Sequence, residues 1–276
     1  MPPDSRDVLV LAQYREGTNL GARQELYHRF GTARRPWQAW VVDHLRLPDR
    51  TRVLEVGCGR GSLWVENQDR IPPGWRVTLS DFSPGLVAEA RAGLRALPDF
   101  HFVVAELSQL PFPEGSFDAV VANHMLFHVP NLELGLAEIH RVLGRGGVLV
   151  AATNGREHLL ELRQLQARIG TQAGALTDVD TAFDLATGPP LLNPLFGRLT
   201  VSRHPEELRI TDPETVVAYL RSLPGPRLSS RHAGAARESV AKEIEREGAW
   251  KVAVEAGLIR GRRRSRVRPP NLGALA

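Results

Sequence analysis

The sequence predicts an α/β protein built on a doubly wound, seven-stranded, mostly parallel sheet, with a helical cap at its amino end and a helical insertion between its last two strands. Three observations carry that expectation. Short apolar runs alternate with helix-length amphipathic segments through residues 50–155, as successive βα units require. The first run, Arg52–Val56, breaks into a loop with glycine at 57, 59 and 61. The second, Arg76–Ser80, ends in a carboxylate, Asp81, which stands 24 positions after Gly57.

Composition bounds the reading. At 276 residues the chain holds one α/β domain of ordinary size plus a cap. Its 42% hydrophobic and 24% charged content is that of a soluble globular protein. One cysteine excludes a disulfide framework and a multi-thiolate metal site, and no metal is expected. No apolar run approaches membrane-spanning length and no signal-peptide pattern opens the chain, so neither membrane nor export is expected and the expected compartment is the cytoplasm. The formal charge of +4 is a weak field over this length, which argues against a nucleic-acid partner. The one dense basic run, Arg260–Arg268, reads as a solvated tail or an edge strand.

Residues 1–50 read as the cap. Asn19–Gly31 has the spacing of an amphipathic helix capped by Asn19, with Leu20, Leu26 and Phe30 on one face. Pro36–Leu45 reads as a second helix, with Pro36 at its first position and Trp37, Trp40, Val41 and Leu45 sharing a face. Such a pair would cover the carboxyl edge of the sheet, where Tyr14, Arg29 and Trp37 become candidate ligand contacts. Residues 51–204 form the core. Its expected elements are the strand Arg52–Val56, a helix Ser62–Arg70, the strand Arg76–Ser80, a helix Pro84–Leu97, the strand Phe100–Ala105, the strand Phe117–Ala122, a helix Leu132–Val142 and the strand Val148–Thr153. A helix over Asn154–Ile169, an extended Thr181–Thr187, a short helix within Gly188–Phe196 and a strand Arg198–His204 follow. Residues 205–248 read as a helical lid beside the acceptor, with Asp212 capping one helix and Ser230–Glu247 forming another. Residues 249–276 supply the last strand, Trp250–Ile259, broken at Gly257, and a basic tail.

The glycine loop is the chemical centre of this pattern. Glycine at every second position lets backbone pass close to a ligand, because no Cβ intervenes. The helix that follows turns its free N–H groups toward that ligand. A dinucleotide fingerprint would place its third glycine at position 62, which is Ser62, and no Gly-Lys-Ser/Thr of a phosphate-cradling loop is present. Asp81, at the end of the neighbouring strand, suits a ribose diol, to which a carboxylate offers two acceptors. Its other reading is a helix N-cap, a role Ser83 ahead of Pro84 could fill instead.

The run Glu55-Val56-Gly57-Cys58-Gly59-Arg60-Gly61 resembles the first motif of class I S-adenosylmethionine-dependent methyltransferases. LSDFSPGLVAEAR, LPFPEGSFDAVVA, NHMLFHV and EIHRVLGRGGVLVAAT resemble the later motifs of the small-molecule members, so the likeness covers about residues 50–155. It implies a Rossmann-like sheet with S-adenosyl-L-methionine bound across its carboxyl ends. The cofactor residues it implies are Glu55, Gly57, Cys58, Gly59, Gly61, Asp81, Phe82, Glu106, Leu107 and Asn123, joined by Tyr14 and Arg29 of the cap. Enzymes of this type usually carry Asp or Asn facing the adenine amino group, where this chain has Glu106. The N–H of Leu107 would meet the ring. Cys58 reads as a small packing residue and not as a nucleophile.

Methyl transfer from a sulfonium is an in-line displacement, and alignment alone supplies roughly 7–11 kcal/mol. A placed base adds about 10²- to 10⁴-fold where the acceptor must lose a proton. His124 and His128 are the candidates, although His128 in Leu-Phe-His-Val also reads as a buried structural histidine. The expected activity is methyl transfer to a small, partly apolar metabolite. Two alternatives stay open: a non-methylating enzyme such as a cyclase on the same scaffold, and a nucleic-acid methyltransferase. The latter would carry Asn/Asp-Pro-Pro-aromatic after the fourth strand, where Asn123-His124-Met125-Leu126 stands. Asn193-Pro194-Leu195-Phe196 lacks the second proline and lies after the fifth strand.

Overall fold

The computed structural model describes residues 25–171, 182–223 and 226–265. The described residues divide into two compact units, one comprising residues 35–155, 182–204 and 256–265, the other residues 25–34, 156–171, 205–223 and 226–255. Among the described residues no helix is long and apolar enough to cross a membrane.

The larger unit is a seven-stranded sheet flanked by helices. Its strands are β1 (Thr51–Val56), β2 (Trp75–Asp81), β3 (Phe100–Val104), β4 (Phe117–Asn123), β5 (Leu143–Asn154), β6 (Phe196–Arg203) and β9 (Ala256–Arg263). They run β3-β2-β1-β4-β5-β9-β6, and β9 alone runs against the direction of the others. The chain winds outward from β1 through β2 to β3 and then returns to place β4 on the other side of β1. Strand order therefore reverses between β1 and β4, which opens a crevice at their carboxyl ends.

Strand residues alternate between two faces, and each face buries its own apolar cluster. Val53, Val77, Leu79, Val121 and Val150 pack under Trp40, Val41 and Leu45 of α1 (Trp37–Leu45), Leu63 and Trp64 of α2 (Ser62–Val65) and Ala90 of α3 (Pro84–Gly93). Leu54, Val120, Leu149 and Ala151 pack on the opposite face against Leu136, Ile139 and Val142 of α4 (Leu132–Val142). Strands covered on both faces read as near-continuous apolar runs, which is why the sequence shows them.

Several boundaries differ from expectation for local reasons. The helix after the glycine loop stops at Val65, because the Asn67 side chain donates to the Leu63 carbonyl at 2.7 Å and draws the chain into a 3-10 turn, Gln68–Arg70. Residues 154–159 do not begin the next helix: β5 runs to Asn154, and α5 spans Leu160–Ile169. Residues 182–187 are not extended. Asp184 accepts the N–H groups of Ala186 and Thr187, both at 2.6 Å, and turns the chain, ahead of the short helix α6 (Gly188–Leu192).

The expected single strand Trp250–Ile259 is two strands. β8 (Trp250–Val254) pairs with β7 (Glu206–Ile210) in a separate two-stranded sheet, and β9 resumes after Glu255. Gly257 is thus no break but an interior residue of β9, where a Cβ would stand 2.3 Å from the Ser202 carbonyl oxygen. Gly257→Ala is expected to destabilise the chain by about 2–3 kcal/mol, as overpacked interiors do; a shift in denaturant midpoint at unchanged slope checks it. Arg260–Arg263 likewise belong to a strand bonded on both sides, which corrects the reading of that run as a tail or edge; residues 266–268 lie outside the described residues.

The smaller unit contains a helix over residues 25–30, α5, the β7–β8 pair, α7 (Pro213–Ser222) and α8 (Ser230–Glu247). The segment 205–248, expected to be helical, therefore opens with a strand. Asp212 caps α7 by accepting the Glu214 N–H at 3.0 Å. Its apolar residues Leu26, Leu208, Ile210, Val216, Val217, Leu220 and Val252 are buried. Asn19 and Leu20 lie outside the described residues.

Candidate functional site

Three glycines in the left-handed region shape the loop after β1: Gly57 at φ +62°, Gly59 at +55° and Gly61 at +75°. Their surroundings differ. A Cβ on Gly57 would lie 2.8 Å from Met125 Cβ and Cγ, in the segment after β4. One on Gly61 would press on Ala90 at 3.2 Å. One on Gly59 would meet nothing within 4 Å. So Gly57 and Gly61 are needed for packing, whereas Gly59 presents bare backbone to open space.

Asp81 holds this loop in place. Its Oδ2 accepts the Gly59 N–H at 2.9 Å and its Oδ1 accepts the Ser83 N–H at 2.9 Å. The residue is only 4% exposed, and burial raises its pKa while those backbone N–H groups pull it back. Ser83 fills the cap position of α3 and accepts the Leu86 N–H, so the helix does not depend on Asp81 for capping. Beside Asp81 the sheet edge is apolar and open: Phe82 is 37% exposed and Val104, its carboxyl-end neighbour on β3 in register with Asp81, is 49% exposed. Leu107 is buried in a 3-10 turn, Leu107–Gln109, and Glu106 is exposed with Ser108 Oγ donating to it at 3.4 Å. A bare backbone, a carboxylate with acceptor capacity left, and an exposed apolar edge are what a nucleoside with an aliphatic tail requires, so these residues fit an adenosyl cofactor.

Glu55 and Cys58 face elsewhere. Glu55 is 2% exposed, and its Oε2 accepts the Trp64 indole N–H at 2.6 Å. Burial pushes its carboxyl up to about 8, with Asp81 adding repulsion, so it is chiefly protonated at neutral pH. Burial also pushes the Cys58 thiol up, which removes it as a nucleophile.

The other wall rises from β4. Asn123 Oδ1 accepts the Trp37 indole N–H at 3.3 Å, and its amide donates to Gln38 Oε1 at 3.3 Å. His124 sits at φ +54° with its ring centroid 4.8 Å from Trp37 and 6.4 Å from Phe127. His128 lies one turn on, its N–H donating to the Met125 carbonyl and its ring 4.4 Å from Phe127. Sequence patterning misses His204, which is 3% exposed and meets Trp37 edge-on at 5.4 Å while its Nε2 contacts the Arg35 carbonyl at 2.9 Å. No local motif marks it, because the contact joins residues far apart in the chain. Arg29 belongs to the smaller unit, where its guanidinium donates to Thr215 Oγ1 at 2.8 Å and pairs with Asp212 at 3.2 Å. Tyr14 lies outside the described residues.

Burial, reinforced by His128, lowers the His124 pKa to about 4. The imidazole is therefore neutral near pH 7 but a weak base. Because folding favours the neutral form, its stabilising contribution is present above about pH 6.5 and is lost as pH falls through about 4. His124→Asn, which tolerates the left-handed backbone, is expected to flatten the loss of stability between those values. Denaturant midpoints at pH 7 and 4.5 check this.

Residues 54–151 match the family model described as a methyltransferase domain. A demethylmenaquinone methyltransferase of Beutenbergia cavernae is 39% identical over 118 residues, 43% of this chain and 47% of that protein. A malonyl-[acyl-carrier protein] O-methyltransferase of Enterobacter lignolyticus is 32% identical over 169 residues, 59% of this chain and 60% of that protein. The chain thus spans about half to three fifths of the length of these curated relatives. Among solved structures, a SAM-dependent methyltransferase of Thermotoga maritima shares the fold at TM-score 0.55 and 17% identity, covering 92% of this chain and all of that one.

Proposed function

We propose that this chain, which carries a class I S-adenosylmethionine-dependent methyltransferase domain, binds S-adenosyl-L-methionine across the carboxyl ends of β1 and β2 and methylates a small, planar, partly apolar acceptor. The observation that carries the reading is the Gly59–Asp81 pair: bare left-handed backbone facing open space, tied at 2.9 Å to a buried carboxylate. The cofactor would supply an activated methyl group on a sulfonium. Asp81 would accept the ribose hydroxyls, and Phe82 and Val104 would flank the adenine, with Glu106 in reach of its amino group.

The acceptor would lie against Trp37, His124 and Phe127, on the β4 side of the switch point. Met125, against Gly57, links that wall to the glycine loop. Aromatic rings at this wall favour a flat ring over a flexible polar chain. Since His124 is a weak base, the wall chiefly orients and excludes water, and a carbon or nitrogen acceptor, or an already acidic phenol, suits it better than an alcohol. Quinone-type acceptors, as in the name of the Beutenbergia relative, fit this chemistry.

The test is formation of S-adenosylhomocysteine from S-adenosylmethionine with a panel of reduced naphthoquinones, phenols, aromatic amines and a malonyl thioester. Turnover with a planar ring acceptor, lost in Trp37→Ala, is the expected outcome. Turnover confined to the thioester would refute the planar-acceptor reading. Tight cofactor binding without transfer to any acceptor would favour a non-methylating reaction on this scaffold.

A further inference from the structure

The opposite edge of the same sheet carries a second, chemically different cavity. It has a volume of about 460 Å³ and lies at the amino ends of β1, β4 and β5. Five arginines line it: Arg46, Arg50, Arg145, Arg260 and Arg262, with Asp118 the one acidic residue. The topology gathers them. Because β9 runs antiparallel, Arg260 and Arg262 arrive at this edge, opposite Val150 and Val148 of β5 and two residues apart on one face. Arg46 follows α1 in a left-handed conformation, Arg50 precedes β1, and Arg145 lies among the glycines at the start of β5, where Arg262 donates to the Gly146 carbonyl at 3.2 Å.

Among the described residues these charges have no counter-charge. The Asp118 carboxylate is already occupied by Arg52, through its backbone N–H at 2.9 Å and its guanidinium at 3.1 and 2.8 Å. None of the five arginines forms an ion pair there, whereas Arg35, Arg52, Arg70, Arg141 and Arg263 of the same unit each pair with a carboxylate. The Nε–H of Arg260 is buried without an acceptor. Burial, with Arg262 and Arg46 nearby, holds the Arg260 guanidinium below its usual value. Unpaired like charges around a cavity repel one another, and a multiply charged anion relieves that repulsion.

We infer that this cavity is a binding site for a small molecule bearing a diphosphate group, separate from the glycine-loop site. Guanidinium forks match phosphate oxygens in pairs, and five forks on one cavity suit two linked phosphoryl groups better than a single carboxylate. The volume admits a ligand of nucleotide size.

The test is calorimetric titration of the full chain with inorganic pyrophosphate at constant ionic strength, beside orthophosphate and a single-stranded oligonucleotide. The expected result is saturable one-to-one pyrophosphate binding, weaker for orthophosphate. It should weaken at least tenfold in Arg260→Gln and in Arg145→Gln, and stay unchanged in Arg209→Gln, which removes the same charge from an exposed position on β7. Arg145 is exposed near the start of β5, so its variant reports even if Arg260→Gln fails to fold. Binding of S-adenosylhomocysteine should be the same in all three variants. Absence of saturable pyrophosphate binding would overturn the inference. So would equal loss in Arg209→Gln, or binding of the oligonucleotide alone at these arginines, which would make the face a nucleic-acid surface.

Discussion

Replacing Asp81 with alanine is expected to weaken S-adenosylhomocysteine binding by about a hundredfold, the equivalent of ~2–3 kcal/mol for lost charged hydrogen bonds. Two effects add. The ribose loses its acceptor, and the Gly59 and Ser83 N–H groups, each held at 2.9 Å, lose theirs. The glycine loop then has no anchor for its one residue that faces open space. Asparagine at this position would serve little better. An amide presents one NH2 group, so whichever way it is turned one backbone N–H faces a donor. Asp81→Asn is therefore expected to lose binding nearly as much as Asp81→Ala, while both melt within a few degrees of the parent. Calorimetric affinities within threefold of the parent for both variants would remove Asp81 from the site.

Glu55 gives the second large effect, on stability. Its folded-state pKa is raised to about 8 from an ordinary 4.5, so folding favours the protonated carboxyl. The stabilising contribution is complete below about pH 4.5 and is lost as pH rises through about 8. At about 1.4 kcal/mol per unit the loss over that window is about 5 kcal/mol. Glu55→Gln keeps an oxygen for the Trp64 indole and has no charge to bury. The variant is expected to match the parent near pH 5 and to exceed it by a few kcal/mol at pH 9. Denaturant unfolding at the two pH values decides: equal pH slopes for variant and parent would mean that Glu55 is solvated in the folded state. Together with His124, which loses its contribution at acid pH, this places maximal stability between the two transitions.

The parts of the fold legible in the sequence are those where one physical signal dominates. Strands β1, β2, β4 and β5 are covered on both faces and read as apolar runs; the glycine loop reads as a close approach; Ser83-Pro84 and Asp212-Pro213 read as helix starts and cap them. Local competition is not legible. The side chains of Asn67 and Asp184 take over backbone hydrogen bonds and end or replace expected elements. Nor is sheet membership. The Trp250–Ile259 run has strand character throughout, yet a one-residue interruption at Glu255 sends its halves to different sheets.

The site divides in the same way. Gly59 and Asp81 carry a spacing that sequence shows, and their contact is direct. Glu55 belongs to the same motif, but its side chain points into the core, and only burial reveals that it holds Trp64. His124 stands where the motif places it, whereas its low basicity follows from burial, to which Trp37 contributes by tertiary packing, and from the neighbouring His128. Arg260 and Arg262 lie in a run that reads as a solvated tail or an edge strand, and only the antiparallel course of β9 turns them to the cavity edge.

The central claim is that the Gly59–Asp81 crevice holds an adenosyl sulfonium cofactor, and thermal melting of the purified chain with S-adenosylmethionine, S-adenosylhomocysteine and NAD tests it most directly. A ligand at about 100 times its dissociation constant adds roughly 2.7 kcal/mol, which raises the melting temperature of a chain this size by about 5–10 °C. The expected result is that rise with both adenosyl compounds, none with NAD, and almost none with any of the three in Asp81→Ala. No shift with either adenosyl compound, or an equal shift with NAD, would contradict the account.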